Sequence, residues 1–428
     1  MLRSIILSAL PVFCLASTAI AQVQWQARLL IPKTEKSIVF CLEFGLPDTD
    51  GGLPSCVVVN GTERISVSKV QLVDGKLAIN FPHYDSVIQT ELNKDSVSML
   101  ATPSANTDAV IKGTFTKRRG QGEWVKMKFV ATQKGPQEYA DPSKWLGRWR
   151  VSFDSSEDPA VGVFRRGPTP KSVVGTFLTT TGDYRFLVGG VEAGKLNLCC
   201  FDGAHAFRFE ASLDKGDQLT GDFWSSNTWH ETWTAVRDPT AALPDAFAET
   251  KLVSEQSIGD LAYPDLEGKL TKLSDPRFAG KARIIYVFGS WCPNCHDAAA
   301  YFKELESKYG KRGLSILGLA FELTGDHSRD AKQVKKYLDR HQATYPVLIA
   351  GLADKSKASD SFPVLDRVRS YPTTIFLDQF GTVRGIHTGF TGPATGDEYQ
   401  KLKTRFETLI EKILDSGTVP SKSDSRSP

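Results

Sequence analysis

Arg283-Ile-Ile-Tyr-Val-Phe-Gly-Ser-Trp-Cys-Pro-Asn-Cys-His296 decides the fold of this chain. Its first half, Arg283 to Phe288, is nearly continuous apolar sequence, as expected for a strand covered on both faces of a parallel sheet. Asp297 to Lys308 follows with Ala298, Tyr301, Phe302 and Leu305 spaced for one face of a helix. Two cysteines at a strand-to-helix junction then lie at the C-terminal end of a buried strand, where open α/β sheets carry their active sites.

The motif itself has two readings. As W-C-x-x-C it is a dithiol centre; as C-x-x-C-H it is an attachment signature for c-type haem. Haem iron needs a second axial ligand in an apolar pocket. The three methionines, Met1, Met99 and Met127, all lie far upstream, leaving His327, His341 and His387 as candidates. Structural zinc lacks a second C-x-x-C or a paired histidine motif. A purely structural Cys292–Cys295 bridge would close too short a loop to remove much chain entropy. The dithiol reading has a mechanism. A helix starting near Cys292 sets its sulfur over unpaired N–H groups and the positive end of the helix dipole, which favour a thiolate. Cys295, one turn on, can attack a mixed disulfide formed at Cys292. Pro293 suits the first turn, and Trp291 would shelter the sulfur.

Outward from the motif the α/β pattern continues over 249–415. Gly313 to Phe321 reads as a second buried strand and Arg329 to His341 as an amphipathic helix with Val334, Tyr337 and Leu338 inward. Tyr345 to Ile349 and Thr373 to Leu377 are further strands, the latter pairing with Thr382 to Thr388 across a turn at Asp378 to Gly381. Glu398 to Leu414 closes the region as a helix, and the Ser/Lys-rich tail 416–428 reads as disordered.

Three segments carry a family resemblance: Val287 to Cys295, Tyr371-Pro-Thr-Thr-Ile-Phe-Leu-Asp378, and the helix–strand insert from Arg329 to Ile349. Through them the region from about Pro244 to Asp415 resembles the thioredoxin fold of the TlpA/ResA class of exported thiol–disulfide oxidoreductases. The resemblance implies a cis Pro372 facing the dithiol, with the backbone of Tyr371 binding the substrate chain and Trp291 and Thr373 beside it. Two positions depart from the pattern. Ala298 stands where the class often has Glu, and Tyr286 stands where thioredoxin has a buried Asp, so neither usual proton acceptor is present. Glu322, ending the Leu314–Phe321 strand on the dithiol's edge, is the candidate substitute. Asp297 is an alternative that could equally be a solvated first-turn residue, and His296 either tunes the thiolate or sits on the helix surface. A peroxiredoxin would need T-x-x-C, whereas Gly289-Ser-Trp291 precedes Cys292.

Upstream, from Val23 to Arg237, short alternating runs separated by Gly, Asn and Asp turns predict an all-β region, either a sandwich or a lipocalin-like barrel. A faint echo relates Ile111–Thr132 to Leu219–Arg237, suggesting two halves, 22–140 and 141–238, with 239–248 as a linker. The fold class is therefore multidomain: all-β, then an α/β thioredoxin fold. Trp145, Trp149, Trp224, Trp229, Trp233, Phe201, Phe207 and Phe209 are expected to be core, with an aromatic-lined ligand cavity the alternative. Gly175 to Tyr184 and Cys200 to His205 resemble β modules attached to exported thioredoxin-like proteins, which implies no activity. Cys41 and Cys56 are a candidate structural disulfide across a turn-rich loop. Cys199 and Cys200, adjacent in a strand, would face opposite ways as packed thiols.

Residues 1–21 read as a secretory signal, with Arg3, an apolar stretch from Ile5 to Ile20 and Ala19-Ile-Ala21 before the cut. The expected location is the periplasm or cell envelope of a bacterium, with no transmembrane segment in the mature chain. Lys and Arg (52) nearly balance Asp and Glu (49), giving a net charge of +3 and no pointer to nucleic acid. The expected partners are a disulfide-containing protein substrate and a membrane thiol donor, with no cofactor and no metal. Two function classes stand: an oxidoreductase acting through Cys292 and Cys295, or a binding β module carrying a redox-inert thioredoxin-like domain.

Overall fold

The computed structural model describes residues 22–46, 52–102, 109–133, 137–253 and 257–416. The expected signal segment lies outside these residues, as does the tail after Ser416. Nine strands between Val23 and Thr132 form one antiparallel sheet, running from Glu63–Ser66 at one end to Lys69–Val73 at the other. Val23–Leu30 lies between Ser37–Gly45 and Trp124–Thr132. Alternation drives the pairing: Trp25, Ala27 and Leu29 point inward beside Ile38, Phe40 and Leu42. A one-residue slip would turn all of these outward. The 3-10 helix Lys94–Ala101 buries Val97 and Leu100 in the same core, and Leu100 O accepts from Trp25 Nε1 at 3.0 Å.

Residues 147–237 form a closed eight-stranded barrel. Gly147–Phe153 pairs with Trp229–Arg237, and Ala160–Arg166 pairs with Ser172–Thr179 to complete the ring. Closure leaves no unpaired sheet edge. Phe153, Phe177, Phe209, Phe223 and Trp233 fill the interior, with Phe177 stacked on Phe209 at 4.3 Å. Trp229, expected in the core, is instead 50% exposed, its indole held by Glu231.

The open sheet wraps the outside of this barrel. Phe201 leaves the barrel wall and stacks on Phe40 at 4.3 Å, with Phe81 and Phe115 edge-on to it. Cys199 and Cys200 diverge accordingly: Cys199 packs into the sheet–barrel interface and Cys200 into the barrel core. The expected Cys41–Cys56 disulfide is corrected. Both thiols are free. Phe44 is the register partner of Cys56, so Cys56 shares the inward face, whereas Cys41 pairs with Val59 on the other face. Burial pushes the Cys56 thiol well up and Cys41 to about 11.

The C-terminal α/β unit has a five-stranded sheet ordered Val347–Leu352, Leu314–Glu322, Ala282–Phe288, Thr373–Asp378, Val383–Thr388. The first three are parallel, Thr373–Asp378 runs antiparallel to them, and Val383–Thr388 runs antiparallel to Thr373–Asp378. Helices α1 (Pro293–Tyr309), α2 (His327–His341), α3 (Lys355–Ser361) and α4 (Asp397–Ser416) surround it. This is a thioredoxin-like fold following an all-β region. Among the described residues, no helix is long and apolar enough to cross a membrane.

Candidate active site

Ala282–Phe288 delivers the chain through a short turn to α1, whose N-cap is Cys292 with Pro293 in the first turn. The Cys292 side chain caps no backbone N–H, so its sulfur remains available for chemistry. It lies 3.3 Å from Tyr371 O. The Tyr371–Pro372 bond is cis. Cys292 is 7% exposed and Cys295 wholly buried. Burial, reinforced by its hydrogen bond with Cys292, pushes the Cys295 thiol well above its ordinary range.

Each sequence-predicted partner can now be placed. The Trp291 indole donates to Phe321 O at 3.0 Å and stands edge-on to Tyr371. Thr373 is buried and donates to Ser370 O at 2.9 Å, holding the turn that carries Tyr371 and Pro372. Glu322 is fully buried at the end of its strand. Its two carboxyl oxygens accept from Ser290 N at 2.8 Å and Ser290 Oγ at 2.7 Å. Its hydrogen bonds thus go to Ser290 and not to a sulfur. Burial outweighs those bonds and pushes its carboxyl up to about 8.

The group that does stand behind Cys295 is Tyr286. Its hydroxyl donates to Cys295 O at 2.7 Å, beside Tyr337, which donates to the same oxygen at 2.8 Å. The two hydroxyls are 3.0 Å apart. The sequence registered Tyr286 only as a missing carboxylate.

His296 is neither a surface residue nor free for iron. Nε2 bonds to Ser290 O at 2.9 Å and Nδ1 to His341 Nε2 at 2.6 Å, which engages both ring nitrogens. Burial, with His341 and His83 nearby, holds its pKa well below the usual value, so the ring is neutral. The other two haem candidates are also engaged, His327 with Asp265 O and His387 with Gly389 O.

Asp297 is half-buried and ion-paired. It pairs with Arg185 from the barrel, and Arg185 also meets Glu63 at 2.9 Å and Asp202 at 3.3 Å. Nearby, Asp183 O accepts from Asn294 Nδ2 at 3.3 Å, and Thr181 O accepts from Ser370 Oγ at 2.6 Å. On the far side, His83 and Tyr84 pack edge-on to His296 at 5.2 and 4.6 Å. None of these β-region residues was singled out for the site from sequence. The signals were the Gly175–Tyr184 and Cys200–His205 segments, noted as a resemblance without a role.

Residues 255–386 match the model of the AhpC/TSA family. Among curated relatives, the thioredoxin-like protein YneN of Bacillus subtilis is 27% identical over 141 residues, 33% of this chain and 75% of that protein. The thiol-disulfide oxidoreductase ResA of Geobacillus thermodenitrificans is 30% identical over 130 residues, 30% of this chain and 66% of its own. ResA of Halalkalibacterium halodurans is 25% identical over 160 residues, 36% and 81% of the two chains. A solved thiol:disulfide interchange protein of the thioredoxin family from Chlorobium tepidum is 20% identical, covering 38% of this chain and 99% of that one, with a TM-score of 0.28. The matches to YneN and ResA fit a dithiol motif at a helix start, beside a cis-proline on a thioredoxin-like sheet. The C-terminal part of this chain belongs to the TlpA/ResA-like thioredoxin-fold thiol–disulfide oxidoreductases.

Proposed function

We propose that the chain is an exported oxidoreductase of the bacterial periplasm or cell envelope that reduces protein disulfides through Cys292 and Cys295. The observation that carries this is the Cys292 sulfur, uncapped at the start of α1 and 3.3 Å from Tyr371 O, with Cys295 buried one turn behind. The Cys292 thiolate attacks one sulfur of the substrate disulfide, and the other sulfur leaves as a thiolate that takes up a proton. Cys295 then loses its proton and attacks the Cys292 side of the mixed disulfide, releasing the second substrate thiol. The substrate gains two electrons and two protons, and the protein ends as a Cys292–Cys295 disulfide. A dithiol donor, which this reading places in the membrane, returns those electrons. No cofactor or metal takes part.

Glu322 remains the proton acceptor in this reading, because a carboxyl titrating near 8 exchanges protons where thiols do. Its hydrogen bonds go to the amide and hydroxyl of Ser290, two residues before Cys292. Trp291, Tyr371 and Thr373 line the substrate side. A Cys295→Ser variant tests the reading. It should accumulate mixed disulfides at Cys292, while the unaltered chain reduces insulin. If Cys292 traps nothing and the dithiol never cycles, the binding-module reading takes its place.

A further inference from the structure

A disulfide substrate must bring a sulfur to bonding distance of Cys292, about 2.05 Å at the end of the step. The surface around Cys292 must therefore be open when a bulky substrate reacts. Here the segments beside it are bonded to the chain's own barrel. The hairpin Ser172–Thr179/Gly182–Asp183 projects its tip, Thr180 and Thr181, across the segments that surround the sulfur. Thr181 O takes the Ser370 hydroxyl, next to Tyr371. Asp183 O takes the Asn294 amide, from within the motif. Asp183 Oδ2 takes Gly392 N at 2.6 Å. The fit leaves no slack: a Cβ on Gly389 would lie 2.8 Å from Thr181 C, and one on Gly182 would collide with the Asn294 amide. Arg185, just past the hairpin, ties it to Asp297 of α1. On the opposite flank, Gln333 holds Pro82 O and His83 O at 2.9 and 2.7 Å, and Arg329 pairs with Asp85.

We propose that the Thr179–Arg185 hairpin is a built-in occupant of the substrate groove, which admits small disulfides to Cys292 and shuts out protein disulfides until it is displaced. The inference rests on the oxidoreductase reading above and adds its gate. Reduction of a protein then carries the cost of opening the hairpin, whereas reduction of a small disulfide does not. Asp183 and Arg185 set that cost, because their bonds to Gly392 and Asp297 hold the hairpin down and break when it lifts.

The test uses the full reduced chain and follows oxidation of the dithiol by hydroxyethyl disulfide and by insulin, in the unaltered protein and in Asp183→Asn and Arg185→Gln. Either variant should speed the insulin reaction by about 10- to 100-fold, the scale on which one charge-assisted hydrogen bond shifts an equilibrium. The reaction with hydroxyethyl disulfide should change little. A second measurement needs no variant. In the unaltered chain, Cys292 should react with N-ethylmaleimide far faster than with a polyethylene-glycol maleimide, a contrast that disappears in urea. Equal access of both reagents, or an unchanged insulin-to-small-disulfide ratio in variants that keep their near-ultraviolet dichroism, overturns the gate alone. A dithiol that reacts with neither disulfide overturns the oxidoreductase reading and the gate with it.

Discussion

Replacing Glu322 by Gln should stabilise the protein, and more so as the pH rises. Glu322 is fully buried, its hydrogen-bond donors are the amide and hydroxyl of Ser290, and burial raises its carboxyl from 4.5 to about 8. Between those two values the folded chain holds a proton that the unfolded chain has released. Stability contributed by that proton is complete below about pH 4.5 and is lost as the pH climbs through 8. At 1.36 kcal/mol per pKa unit, the loss is about 3 kcal/mol by pH 7 and about 5 kcal/mol once the carboxyl ionises. Gln has nearly the same shape. Its carbonyl can accept from Ser290 N, its amide can donate to Ser290 Oγ, and it does not titrate. Urea unfolding of both proteins, reduced, at pH 5, 6.5 and 8 should show a stability difference near zero at pH 5 that grows to several kcal/mol at pH 8. A difference independent of pH, or a variant that is the less stable at pH 8, would refute the reasoning. Either result would mean that the carboxylate is ionised and favourably bound in its pocket.

Other residues give sharper local tests. Tyr286→Phe removes one of two hydroxyls donating to Cys295 O and should cost about 0.5–1.5 kcal/mol in urea unfolding. Arg185→Leu leaves Glu63, Asp202 and Asp297 without their shared cation, and should cost about 3–5 kcal/mol by the same measurement. Phe201→Ala hollows the seam between sheet and barrel, where Phe40, Phe81 and Phe115 meet it, for about 3–5 kcal/mol. Thiol titration of the oxidised, then unfolded, chain should find Cys41, Cys56, Cys199 and Cys200 all reactive. A Cys41–Cys56 bridge would show as two missing thiols.

The α/β half was legible because its signals are local. A buried parallel strand reads as a continuous apolar run, and the cysteine pair sits directly after it, so periodicity alone placed the motif on the sheet. The β half was legible as to class, since alternation survives in every strand. Closure was not, because which strand pairs across 147–237 depends on contacts far apart in sequence. Trp229 misled for the same reason: an aromatic in a strand says nothing about which face meets solvent. Cys41 and Cys56 illustrate the cost of ignoring register, since a loop that looks right for a bridge joins strands whose thiols face apart. Around the dithiol, the hidden parts were those supplied from a distance. Asp183 and Arg185 lie more than a hundred residues before Asn294 and Asp297, and no spacing rule joins such pairs. Tyr286 was legible only as the lack of a carboxylate, although its hydroxyl fills the space behind Cys295.

The central claim is that Cys292 and Cys295 form and break a disulfide with each other. Its most direct test is to equilibrate the full chain in dithiothreitol redox buffers, quench with an alkylating agent, and read the number of blocked thiols by intact mass. The account predicts a single two-electron transition that adds or removes two blocked thiols together, maps to Cys292 and Cys295, and vanishes in Cys292→Ser. A chain whose two motif thiols stay alkylatable at every poise, or whose oxidation joins one of them to another cysteine, would contradict it.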